Sequence, residues 1–362
     1  MNDHVHKWLR TIDRMPNNSL MISGTCGLRQ SSWLKLCARV VVSVLLIAWL
    51  LTTIDVEEVL RTLATCRWLL VGTATGILSA RMLLGGVRWQ MILAAQDTQR
   101  SVLRLTSWYL IGSFFNMFLP TVLGGDVVRM YQAGRSTGKI TDTIVSVMME
   151  RIIGCTGLVL LALIALSLPG SALPAGIRAA VVGTSVCFVL GLAVSFHPVT
   201  SRIAVALLNQ LGISKLGEAI DKGHHALWHL TRRRRVLLNA FCVTIVFHLI
   251  GVFCVYLTGL SLRLDLPFRL YCVAVPTIWT LTMLPVSING IGVREGGFLL
   301  MFGTAGVSGA DAVLLSLLTF FQLTVIGLLG GLVYLFQPLH EEQAILSETC
   351  VMNAEIPNSR IE

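Results

Sequence analysis

Residues 114–126 read FFNMFLPTVLGGD, and residues 283–295 read MLPVSINGIGVRE. Each places proline and glycine, then charge, inside a run otherwise apolar enough for a membrane helix. Proline removes a backbone donor and clashes with the preceding turn. Broken backbone at membrane depth persists only where protein or water satisfies its polar groups. Both stretches are therefore expected to be re-entrant or discontinuous helices. Working outward, apolar runs fall at 36–54, 68–87, 105–125, 143–168, 178–196, 236–260, 270–289, 291–307 and 312–337. The fold class expected is an all-α polytopic membrane protein of about 6–8 transmembrane helices.

Composition supports this reading. Of 362 residues 54% are hydrophobic and 13% charged, against about 25% charged in soluble domains. Too little polar surface remains to face water, so lipid is the solvent. The net charge of +9 does not suggest nucleic acid, because the basic residues sit between apolar runs. Their expected partner is an anionic leaflet. The nine cysteines include no CxxC pair and lie mostly in apolar runs, so neither a disulfide framework nor a metal site is expected. Three regions follow: a polar N-terminal tail (1–33), a transmembrane domain (34–337) and a polar C-terminal tail (338–362). The tail lacks a signal-peptide pattern, and the run after it is expected to be an uncleaved anchor.

Lysine and arginine in short loops set orientation. Arg88, Arg100 and Arg104 mark 88–104, and Arg129, Arg135 and Lys139 mark 126–142. Arg202, Lys215, Lys222 and Arg232 to Arg235 mark 197–235. All three, with the N-terminus, are expected on the cytoplasmic side of an inner membrane. Segments 55–67 and 169–177 are expected outside. Because 88–104 and 126–142 share a side, 105–125 must enter and return. If 270–307 does the same, it does so from the outer face. Residues 200–235 are basic and amphipathic, with stripes such as Ile203, Leu207 and Leu211. They suit interfacial helices on anionic headgroups or a packed cytoplasmic linker.

The two broken stretches resemble each other. PTVLGGDVVR (120–129) aligns without gaps to PVSINGIGVR (285–294), sharing Pro, Gly, Val and Arg at equal offsets. Four identities in ten leave chance open. The alternative is an inverted repeat whose re-entrant elements meet near the midplane, as transporter substrate sites commonly do.

Charges within a bilayer cost roughly 2.5–3.5 kcal/mol each on insertion scales and usually face a cavity or a partner. The candidates are Arg81, Asp126, Arg129, Glu150, Arg151, Arg294 and Glu295. Arg81 and Arg88 lie seven apart on one helix face, though Arg88 suits a snorkelling position near a helix end better. Glu150 and Arg151, being adjacent, must each find a partner elsewhere. Together these groups suggest a net-cationic cavity, where arginine offers phosphate a bidentate fork. Gly124, Gly125, Gly290 and Gly292 would let backbone approach a headgroup. His225 and His229 are spaced i,i+4 beside a basic run without a third ligand, which favours a surface helix over a metal site. His248 fits a satisfied core position better than a proton relay. No nucleotide-binding, hydrolase or metalloprotease motif is present, so no catalytic residues and no cofactor are expected.

The strings NMFLPTVLGGDVVR (116–129), SVMMERIIG (146–154) and LPVSINGIGVRE (284–295), in that order, resemble the transmembrane flippase-like family that includes the flippase half of lysylphosphatidylglycerol synthases. GVRWQMIL (86–93) is similar to that family's early RW element, and the resemblance spans about 36–337. It implies a lipid translocase fold with re-entrant helices around a headgroup cavity. The functional residues it carries over are Asn116, Pro120, Gly125, Asp126 and Arg129, then Glu150 and Arg151, then Pro285, Asn289, Gly290, Gly292, Arg294 and Glu295. After Phe336 only about 25 residues remain, so synthesis of the lysyl lipid by this chain is not expected.

The function expected is a lipid flippase or transporter for a phospholipid or a lipid-linked (aminoacyl, polyprenyl or hopanoid-type) substrate. A non-catalytic membrane subunit scaffolding a lipid- or glycan-modifying enzyme is the alternative. An enzyme acting on a lipid phosphate is a third reading. Expected partners are membrane lipids with anionic or phosphate-bearing headgroups, with a homodimer or a lipid-modifying enzyme left open.

Overall fold

A computed structural model describes residues 56–118, 124–168, 174–196, 230–283 and 287–354. Every regular element among them is helical: α1 (Val56–Ala64), α2 (Trp68–Ala94), α3 (Val102–Phe118), α4 (Gly124–Thr137), α5 (Ile140–Ser167), α6 (Ala175–Phe196), α7 (Arg234–Ser261), α8 (Phe268–Thr282), α9 (Val293–Gly303) and α10 (Gly309–Ala354), with a 3-10 turn at Ile288–Gly290. Five of these, α2, α5, α6, α7 and α10, are long and apolar enough to cross a membrane. The 27 residues of α2 rise about 40 Å, enough for a hydrocarbon layer of about 30 Å. The chain is an all-α polytopic membrane protein. The run 36–54, the tail at 1–33, the last part (355–362) of the C-terminal tail expected at 338–362, the 200–229 part of the amphipathic stretch with His225 and His229, and Pro120 and Pro285 lie outside the described residues. The last span does not end with its apolar run, because α10 continues to Ala354.

The remaining helices are too short to span alone, and four of them, α3, α4, α8 and α9, pair as two hairpins. In the first, α3 enters and α4 returns. The Arg100 guanidinium donates to the Ser136 carbonyl at 2.5 Å, and Lys139 Nζ donates to the Asp97 carbonyl at 3.2 Å. The start of α3 and the end of α4 therefore lie together. Ile92, Val145, Leu230 and Ala240 cluster at the same end of the bundle, which also carries Arg232 to Arg235 and is called here the basic end. The second hairpin, α8 and α9, opens at the opposite end. There Tyr271 packs on Phe302 with ring centroids 5.1 Å apart, in one core with Cys66, Leu262 and Leu264. The hairpin tips meet inside the bundle, where Asn289 Nδ2 donates to the Asn116 carbonyl at 3.3 Å.

Local chemistry explains the second break. Asn289, Gly290 and Gly292 all adopt left-handed φ, at 51°, 75° and 85°. Glycine and, to a lesser degree, asparagine tolerate that region, and a right-handed helix cannot continue through it. The helix restarts at Val293, with the Glu295 carboxylate accepting the Gly292 N–H at 2.6 Å.

The hairpins belong to a larger repeat. The starts of α7, α8, α9 and α10 follow those of α2, α3, α4 and α5 by 166 to 169 residues (234 against 68, 268 against 102, 293 against 124, 309 against 140). One four-helix unit thus occurs twice, with its hairpins entering from opposite ends. Arg81 is the fourteenth of the 27 residues of α2, and Phe247 the fourteenth of the 28 residues of α7. The Arg81 guanidinium lies 4.1 Å from the Phe247 ring centroid. The paired helices therefore touch at their midpoints.

Labelling can check this arrangement. In a cysteine-free background, Gln99→Cys and Lys139→Cys should react with an impermeant reagent from one side of the membrane, and Glu57→Cys only from the other. Labelling of Gln99 and Lys139 from opposite sides would mean that α3 crosses the bilayer.

Candidate functional site

Five charged side chains from three helices form one chain of contacts inside the first repeat unit. Arg88 on α2 donates through Nε and Nη2 to Glu150 Oε1 at 3.1 and 2.5 Å. Arg129 on α4 donates through Nη1 to the other oxygen of Glu150 at 2.6 Å and through Nε to Asp126 Oδ1 at 2.9 Å. Arg151 on α5 donates through Nε to Asp126 Oδ2 at 2.5 Å. Charge alternates along the row, so each carboxylate lies between two guanidinium groups. Bidentate, charge-assisted contacts of this kind are among the stronger hydrogen bonds.

Local structure puts these groups in place. Asp126 lies in the first turn of α4, where the helix dipole favours a negative charge. Asn116, at the end of α3, accepts the Gly125 N–H through Oδ1 at 2.7 Å and so satisfies an open donor of α4. A Cβ on Gly125 would overlap the Gly112 carbonyl, so glycine lets α3 and α4 touch backbone to backbone. Gly124 is buried beside it as the first residue of α4. Glu150 and Arg151 point to different partners, as adjacent helical positions must.

Aromatic and hydroxyl groups enclose the row. Tyr109 Oη lies 3.2 Å from Arg88 Nη2, and Thr244 Oγ1 lies 3.3 Å from Arg88 Nη1. The Arg129 guanidinium is 4.5 Å from the Tyr109 ring centroid and 5.0 Å from that of Trp89. Exposure separates one member from the rest. The Arg151 side chain is 27% exposed, Asp126 9%, and Arg88, Arg129 and Glu150 5% or less. Whatever reaches this row therefore meets Arg151 first.

Arg88 corrects an expectation. Snorkelling is not its role, because it is buried and holds Glu150. It lies about 9 Å in from the end of α2, on the face where α5 brings Glu150 against it.

The second repeat unit carries a smaller arrangement. Arg294 donates through Nε to Glu295 Oε1 at 2.9 Å and to Ser316 Oγ at 3.2 Å, and its Nη2 also contacts Glu295. Its guanidinium is 4.4 Å from the Phe320 ring centroid. Arg294 aligns with Arg129 in the ten-residue likeness, though Arg294 is the second residue of α9 and Arg129 the sixth of α4, and each faces the helix that follows its hairpin. Glu295 caps its own helix and pairs with Arg294. No hydrogen bond among the described residues joins this pair to the row at Asp126 and Glu150. Asn289 and Gly290 sit at the tip, and Gly292 starts α9. His248 Nε2 lies 3.0 Å from the Gly154 carbonyl, while its Nδ1 is buried without a partner among the described residues, so this core histidine is only half satisfied.

Tyr109, Thr244 and Phe247 went unread in the sequence, since each sits in an apolar run without a motif. The seven-residue spacing of Arg81 and Arg88 was the available signal for Phe247, whose ring lies within 5.0 Å of both guanidinium groups.

No curated protein and no solved structure shows a significant match to the chain. The family described as the lysylphosphatidylglycerol synthase TM region matches residues 36–331. With that match running from before the first repeat unit into α10 of the second, and including every charged group of the row, the chain belongs to the lysylphosphatidylglycerol synthase TM region family.

Proposed function

We propose that this protein carries a lipid with an anionic, phosphate-bearing headgroup across the inner membrane, with its basic end in the cytoplasm and without covalent chemistry. Family membership supports a role in membrane lipid metabolism. The observation that carries the finer reading is the row of five charges beside the meeting point of two opposed hairpins. Its three arginines and two carboxylates sum to one positive charge. That net positive charge favours an anionic phosphate arriving at Arg151, the most exposed member of the row. Arginine suits that contact because its planar fork matches phosphate oxygens. The repeat supplies the transport geometry: two related units, entered from opposite ends, can exchange conformations around a shared centre.

Proteoliposome translocation of a labelled phosphoglycerolipid tests the reading. Activity should fall in the order wild type, Arg151→Lys, Arg151→Ala, Arg151→Glu. Lysine keeps the charge and loses the fork, and glutamate sets a second carboxylate beside Asp126 and repels the headgroup. Wild-type transport by Arg151→Glu would show that Arg151 does not meet the substrate.

A further inference from the structure

We infer that Arg81 is a midplane station for the phosphate of the transported headgroup, separate from the five-charge row. The inference rests on the transport reading above. Arg81 is the middle residue of a spanning helix and is 8% exposed. Among the described residues no carboxylate forms an ion pair with it. Among the described residues its one hydrogen bond runs from Nη1 to the Phe247 carbonyl at 3.3 Å, and its buried Nε has no partner. The Phe247 ring lies 4.1 Å from its guanidinium and the Trp279 ring 6.0 Å. Aromatic faces compensate part of the desolvation of a cation, but they leave donors open.

The surroundings have room made for that guanidinium. A Cβ on Gly251 would overlap Arg81 Nη1 and come within 2.8 Å of the Trp279 ring. Gly251 therefore lets guanidinium, indole and α7 share one position. That position is also where the two repeat units touch at their midpoints. Substrate groups of inverted-repeat transporters bind at this interface because it is the place both conformations share. Arg88 lies seven residues, about 10 Å, along α2 toward the basic end, on the other side of Phe247. A headgroup that leaves the row thus finds the next cation one step deeper. Phosphate, with several acceptor oxygens and a negative charge, would satisfy Nε and neutralise Arg81 together.

Trp279 reports on the site. The difference in emission between wild type and Trp279→Phe is followed for the full chain in maltoside micelles. The titrants are dihexanoyl phosphatidylglycerol, dihexanoylglycerol without phosphate, and inorganic phosphate. A saturable Trp279 response to the phospholipid alone is expected. It should weaken at least about tenfold in Arg81→Gln, for the loss of charge-assisted hydrogen bonds, and less in Arg81→Lys. Gly251→Ala should weaken it by displacing the guanidinium. Arg81→Met should lose the response and raise the ligand-free melting temperature, because a buried, unpaired charge is removed. An equal response to inorganic phosphate would uphold the anion site and overturn the lipid as its source. A silent Trp279, an undiminished response in Arg81→Gln, or a lowered melting temperature in Arg81→Met would overturn the station. Translocation measured in parallel separates the two proposals. Transport by the wild type with Trp279 silent sinks the station alone. A Trp279 response without transport keeps the binding site and sinks the transport reading.

Discussion

Glu150→Ala is expected to destabilise the bundle by about 3–5 kcal/mol, the cost of leaving buried charges without their partner. Glu150 is the only carboxylate among the described residues that holds Arg88, and it shares Arg129 with Asp126. Its removal leaves two guanidinium groups facing each other across α2, α4 and α5. The effect should appear as a lower thermal unfolding midpoint in micelles and as reduced yield of folded protein. Glu150→Gln should cost less, since the amide keeps one acceptor. Combining Arg88→Met with Glu150→Gln should cost less than the two single changes added together, because the double variant removes a charge and its partner at once. Unchanged unfolding of Glu150→Ala would mean that water or lipid already solvates the row, and that its buried geometry does not describe the protein in a bilayer.

Gly125→Ala is expected to abolish transport while the outer bundle still folds. Its Cβ would overlap the Gly112 carbonyl and meet Asn116 Cγ at 2.8 Å. The obstacle is mostly backbone, so α3 and α4 must separate. Overpacking of this kind costs about 1–3 kcal/mol. The functional loss should be larger than the stability loss for a geometric reason. Asn116 caps Gly125 with its side chain and accepts from Asn289 with its carbonyl, so displacing it uncouples the two hairpins. Gly154→Ala is the matched control on α5, since a Cβ there meets nothing within 4 Å. Proteoliposome transport should be near wild type for Gly154→Ala and lost for Gly125→Ala. Equal transport by both would remove the hairpin contact from any account of the mechanism.

The row of charges also sets how the first hairpin is held. Arg129 and Asp126 tie α4 to α5, and Arg88 ties α5 to α2, so a helix pair too short to span is anchored on both neighbours. On its other face α3 lies against α10, where a Cβ on Gly330 would overlap the Leu110 carbonyl. Small residues let membrane helices approach closely when no hydrophobic force drives them together.

Much of the architecture was legible in the sequence because the bilayer imposes simple rules. Apolar length determines which helices span. The Pro-Gly interruptions at 120–125 and 285–292 mark where helix cannot continue, and the basic loops place both ends of the first hairpin on one side. Asp126, Arg129, Glu150, Arg151, Arg294 and Glu295 stood out because charge inside an apolar run is costly. Adjacency alone required Glu150 and Arg151 to look for different partners. Only the tertiary structure decided which partners these were. Arg88 looked like an end-of-helix charge, and its burial depends on α5 bringing Glu150 against α2 from 62 residues away. The weak ten-residue likeness between the hairpins became a repeat once four helices in each half fell into the same order and spacing. Arg294 could not be separated from the first row by sequence, because a matching arginine in a matching motif gives no sign that its own neighbour Glu295 will hold it. Spacing along one helix reveals a shared face. Which residue of another helix meets that face is a matter of packing between segments far apart in the chain, and no local rule carries that information.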